Sequence, residues 1–138
     1  MFNISDINWP AFIVCSISAM IIGFLWYGPL FGKAWKKANR FTDKDMKNMK
    51  ITPAAAMVYG TINALVTAFF VGLITAALKS GNLSGGLIAG FVLWIGIAAT
   101  SRMNSVIYEQ KPLSLFIVNA GYDLANILVM CVIFSVWK

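Results

Sequence analysis

Asp123 lies near the middle of an otherwise apolar run, Leu113 to Trp137, long enough to cross a bilayer as one helix. A carboxylate at such a depth is costly unless it meets a partner, faces a polar cavity or takes up a proton. At about 100° per residue, Asn119, Asp123, Asn126 and Met130 share a stripe about 60° wide, with Tyr122 at its edge. The run therefore presents one polar face. Two other runs carry shorter stripes of the same kind, Tyr59, Asn63 and Thr67 in one, Trp94, Ala98, Arg102 and Ser105 in the other. Counted at 1.5 Å per residue from the basic-loop ends of their runs, Arg102 and Asn119 lie about 9 Å in, Asn63 about 13 Å and Asp123 about 15 Å. An arginine side chain spans that difference. The expectation is an Arg102–Asp123 ion pair bracketed by Asn63 and Asn119, with Asn126 and Tyr122 beside it.

Such a constellation suits a solute or proton site, because an intramembrane acid with a polar surround can hold a cation, a proton or a hydrogen-bonding solute. The competing reading is a static clamp in which asparagines and an ion pair only bridge helices. Enzymatic chemistry is not expected. The chain has no histidine, no CxxC, no clustered carboxylate pair and no glycine-rich phosphate loop with lysine, so metal, cofactor, nucleotide and hydrolytic sites lack their ligands. Ser101, Ser105 and Cys131 have no candidate base on their own faces except distant Asp123. Glu109 reads as a solvated turn residue. Cys15 and Cys131 fall at similar depth, and buried free thiols are expected rather than a disulfide.

These residues need elements to hold them at depth. Of 138 residues, 59% are hydrophobic and 12% charged, and the mean hydropathy of +0.77 lies far outside soluble usage. Four segments have the length for a span, at about 10–31, 54–78, 87–108 and 113–137. The fold class expected is an all-α integral membrane protein, a single compact bundle of four transmembrane helices over 1–138. The first segment does not read as a secretory signal, since Asp6 and no Lys or Arg precede it.

Net charge is +6, and its placement decides its meaning. Lys33, Lys36, Lys37, Arg40, Lys44, Lys47 and Lys50 all fall between the first two spans, with Arg102 and Lys111 toward the same side. Only Lys79 and Lys138 fall opposite. By the positive-inside rule the basic loop is cytoplasmic and both termini face out, as in a bacterial inner (plasma) membrane. The partners expected are the lipid bilayer, with anionic headgroups on the basic loop as an option, and not nucleic acid. Trp9 and Trp137 suit the outer interface and Trp35 and Tyr108 the inner one, while Trp26 and Trp94 lie deeper and should pack.

Within the basic loop, Thr42 can cap a short amphipathic helix from Asp43, with Asp45 reaching back and Phe41 stapling onto Met46. Met46, Met49 and Ile51 form its apolar side. Small residues recur every fourth position in the second span (Ala56, Gly60, Ala64, Ala68, Gly72, Ala76) and in the first (Ala11, Cys15, Ala19, Gly23), which predicts close contact between these faces. Gly86 and Gly90 form a GxxxG that suits either this bundle or a second copy. Asn82, Ser84, Gly85 and Gly86 read as a tight turn. A faint echo pairs Gly23, Phe24, Leu25 and Trp26 with Gly90, Phe91, Leu93 and Trp94, and Asn63 and Ala64 with Asn119 and Ala120, the mark a duplicated hairpin would leave.

The segment Gly23 to Tyr27, followed by Phe31 to Trp35, then Trp94, Gly96 and Thr100, and the run LFIVNAGYDL from Leu115 to Leu124, resembles a bacterial family of small four-span membrane proteins known only as a domain of unknown function. The similarity covers nearly the whole chain. It implies the four-span topology and no established activity. In that family a histidine often follows the tyrosine, where this chain has Asp123, so the position keeps a titratable group of opposite charge logic. Taken together, the expectation is small-solute or ion/proton passage through a homo-oligomer, a dimer or larger, around Asp123. The alternative is a noncatalytic scaffold or accessory subunit.

Overall fold

The fold, a computed structural model, describes residues 1–137 and is all helix and turn over that range. Lys138, expected at the end opposite the basic loop, lies outside the described residues. The long helices are α1 (Trp9–Leu30), α4 (Pro53–Ala77), α5 (Leu83–Ile107) and α6 (Leu113–Val136), each long and apolar enough to cross a membrane. Two short helices, α2 (Gly32–Ala38) and α3 (Asp43–Lys47), occupy the basic connection.

Local chemistry sets the starts. Asn8, Thr52 and Asn82 each accept a backbone N–H of the first turn, from Ala11, Ala55 and Gly85, and Pro10 and Pro53 sit in the first turns of α1 and α4, where a missing N–H costs nothing. The cap at Asn82 starts α5 at Leu83, earlier than residue 87. Ser84, Gly85 and Gly86 are thus helical rather than a turn. The stops are left-handed residues at Lys79 and Gln110, with Ser80 and Lys111 amide groups reaching back to the carbonyls of Thr75 and Ser105.

α1 does not run on smoothly. From Trp26 it loosens into a π-helical turn, and Gly28 leaves helical geometry at φ −106°, ψ −105°, just before Pro29, which has no N–H to give. The basic connection then holds one helix more than expected, since α2 follows at once and packs on α6. In α3 the capping box forms as the residues require, Thr42 and Asp45 exchanging side-chain-to-backbone bonds of 2.8 and 3.2 Å. Phe41 packs edge-on against Trp35 at 5.4 Å, while Met46, Met49 and Ile51 are exposed.

Packing centres on α6, which touches α1, α4 and α5; α1 also packs on α4, and α4 shares no extensive contact with α5. Small residues explain the close contacts. A Cβ on Gly86 would lie 3.0 Å from the Cys131 carbonyl oxygen and from Val132 Cα, and one on Gly90 2.9 Å from Leu128, so the GxxxG is used inside the chain, against α6. Cys15, Ala19, Ala64, Ala68, Val71, Met130 and Cys131 form the core, and both cysteines are free thiols. The second-span ladder is used unevenly. Ala64, Ala68 and Gly72 are buried, Gly60 and Ala76 are half-buried, and Ala56 is exposed. The part of α4 near the basic connection therefore stands away from its neighbours, and a cavity opens there.

Candidate functional site

Asp123 lies ten residues into α6 and meets Arg102 from α5. The guanidinium donates from Nε to Oδ2 at 2.7 Å and from Nη2 to Oδ1 at 3.2 Å, a two-pronged pair. The Asp123 side chain is 16% exposed and that of Arg102 43%, so the acid is held inside while the base looks outward. Two of the five guanidinium donors are spent on the carboxylate. The others point away from it.

The pair borders a cavity of about 850 Å³ walled by α1, α4, α5 and α6. Its polar wall holds Asn63, Ser101, Arg102, Tyr122, Asp123 and Asn126. Met20, Phe24, Met57 and Ile127 supply apolar wall. Asn63 is exposed at the cavity and makes no direct bond to the pair. Asn126 is 7% exposed, and its Oδ1 has no hydrogen-bond partner among the described residues. A buried amide oxygen without a partner costs about 1–3 kcal/mol, so it marks a place where a donor is wanted.

Asn119 does not bracket the pair as expected. Its Oδ1 accepts from the Tyr27 hydroxyl at 2.7 Å, and Tyr27 also packs on Tyr122 with ring centroids 5.2 Å apart. Tyr27 is not marked by span length or helical spacing. It enters because α1 loosens at Trp26 and bends at Gly28, which turns the tyrosine toward α6. The Gly28-Pro29 pair was the available signal for that bend. Trp26 and Trp94 do pack, and each also donates its indole N–H at 2.8 Å to an α6 carbonyl, Val118 and Ala120 respectively. The two carbonyls flank Asn119. A Cβ on Gly121 would lie 2.9 Å from the Trp26 ring, so that glycine makes room for the indole. In the faint repeat a π-helical turn begins at each tryptophan, yet both indoles bind α6 rather than one in each hairpin.

The seven basic-loop residues lie apart from this site, on α2, α3 and their flanks; Lys36 pairs with Asp43. That ion pair holds the Asp43 carboxyl below its ordinary range, and the Thr42 backbone N–H does the same for Asp45. Among the described residues no three His, Cys, Asp or Glu side chains gather as a metal site would require.

The chain belongs to the family described as Protein of unknown function (DUF1761), whose model matches residues 10–135. No curated protein and no solved structure matches it. The DUF1761 match takes in all but the two end residues of the four long helices, the kink in α1 and the Arg102–Asp123 pair.

Proposed function

We propose that this DUF1761 protein is a four-span integral membrane protein that passes a small solute, ion or proton by way of the cavity at Arg102 and Asp123. One observation carries the reading: the ion pair lies on the wall of an 850 Å³ cavity instead of being packed over on all sides. A charged pair that only fastened helices would gain nothing from the open volume beside it.

In this reading the four helices form a bundle in a bacterial inner membrane, with the basic loop cytoplasmic and both termini outside. The exposed side of α3 rests on the inner surface, where Lys33, Lys36, Lys37, Arg40, Lys44, Lys47 and Lys50 meet anionic headgroups. Because α4 and α5 share no extensive contact, one copy leaves the cavity unsealed between them. A homo-oligomer supplies the missing wall, using the exposed α4 residues Tyr59 and Asn63. The second reading, a noncatalytic scaffold, is favoured by the closed two-pronged geometry of the pair.

Proteoliposomes separate the two. With a pH-sensitive dye inside and an imposed membrane potential, the wild type should raise proton or co-ion flux above that of empty vesicles, and Asp123→Asn should reduce the increment at least tenfold. Equal flux in both proteins, with equal fold and assembly, would favour the scaffold.

A further inference from the structure

We infer that the cavity binds an amphiphile with an apolar body and a neutral head that bears carbonyl or hydroxyl groups. The inference goes beyond the proposed function by adding a ligand for the same cavity, and it rests on the cavity being open.

The walls divide by chemistry. Met20, Phe24, Met57 and Ile127 offer an apolar surface, and Phe24 and Met57 are also exposed at 75% and 66%, so the apolar part of the cavity runs out onto the lateral surface of the chain. A ligand reaching it from the side arrives from hydrocarbon if the helices span a membrane. Its body must be apolar.

The opposite wall sets the head. Arg102 and Asp123 already neutralise one another through two hydrogen bonds. A cationic or anionic head would add an uncompensated charge beside a pair that is already neutral, which is unfavourable where water is excluded. A neutral head leaves the pair closed and uses what the pair does not: the remaining guanidinium donors, for a carbonyl or hydroxyl oxygen. Asn126 is the independent mark. It is more than nine-tenths buried on the cavity wall with an Oδ1 that no described residue satisfies, and a hydroxyl donor would satisfy it.

The test compares three probes with one ten-carbon chain: monodecanoylglycerol, decanoate and decylammonium. Ser101 lines the cavity, and the native Cys15 and Cys131 are buried, so Ser101→Cys gives a single reactive thiol in the full-length protein in nanodiscs. Monodecanoylglycerol should protect that thiol saturably from a water-soluble thiol reagent. Decanoate and decylammonium should need at least tenfold more for the same protection. Adding Asn126→Leu should raise the half-protecting concentration about tenfold. Gly60→Leu should abolish protection by filling the cavity, and Met57→Trp does the same independently should the first variant fail to fold; a Cβ on Gly60 meets only Met20 Cε, at 3.9 Å. Equal protection by a charged probe, or protection indifferent to the filling variants, overturns the inference while leaving passage intact. A thiol that is never labelled without probe overturns both.

Discussion

Asp123 is tolerated with most of its side chain buried because Arg102 reaches it with two donors, and Arg102 is tolerated because more than two-fifths of its side chain remains open. Removing one partner leaves the other charge uncompensated, which costs several kcal/mol in a closed interior and less where one partner is open. Arg102→Ala should therefore lower unfolding free energy by about 1–3 kcal/mol. Asp123→Asn should cost less, since the amide still accepts a hydrogen bond from the guanidinium. The double variant should be more stable than the sum of the single losses, with a coupling of about 1 kcal/mol or more in a thermal or denaturant cycle in mixed micelles. Strict additivity would show that the pair does not interact. The acid, the arginine and the neighbouring amides are legible from residue type and helical spacing. Tyr27 is not, because its role follows from where α1 bends and no periodicity reports that.

Among the elements, α3 offers a clean test by pH. Asp43 pairs with Lys36 and Asp45 accepts from the Thr42 backbone, and each contact holds its carboxyl below the ordinary range. A folded value below the unfolded one means the contribution is complete above the ordinary carboxylate value of about 4 and is lost as pH falls through the depressed folded values. The Thr42 and Asp45 amide signals in NMR should thus hold steady from about pH 5 upward and shift together toward unstructured positions below about pH 4. Independent behaviour of the two amides would contradict the capping box. That box was readable because Thr42, Asp43 and Asp45 are a local pattern. The start of α5 was not, because Gly85 and Gly86 carry a turn signature, and only their close approach to Ser80, Cys131 and Val132 shows what they are for.

At the scale of the whole molecule, four long apolar helices follow directly from composition and run length. Their arrangement does not. The small residues of α1 and α4 predict contact along both helices, yet the ladder is buried at Ala64 and Ala68, turns to Phe134 of α6 at Gly72, only touches Met20 of α1 at Gly60, and is exposed at Ala56. What opens there depends on how α6 sits among three neighbours at once, a global property that no single repeat encodes. The cavity beside Arg102 and Asp123 is therefore what the fold adds to the constellation of residues, and the proposed passage rests on it.

The most direct measurement is the rate at which a small, membrane-impermeant thiol reagent labels Ser101→Cys in proteoliposomes of known orientation. The cavity predicts labelling from the basic-loop side, at a rate within about tenfold of an exposed control such as Asn104→Cys, with Cys15 and Cys131 unlabelled over the same interval. Labelling no faster than that of the buried native thiols would mean that no water reaches the Arg102–Asp123 pair, and the passage reading would be wrong.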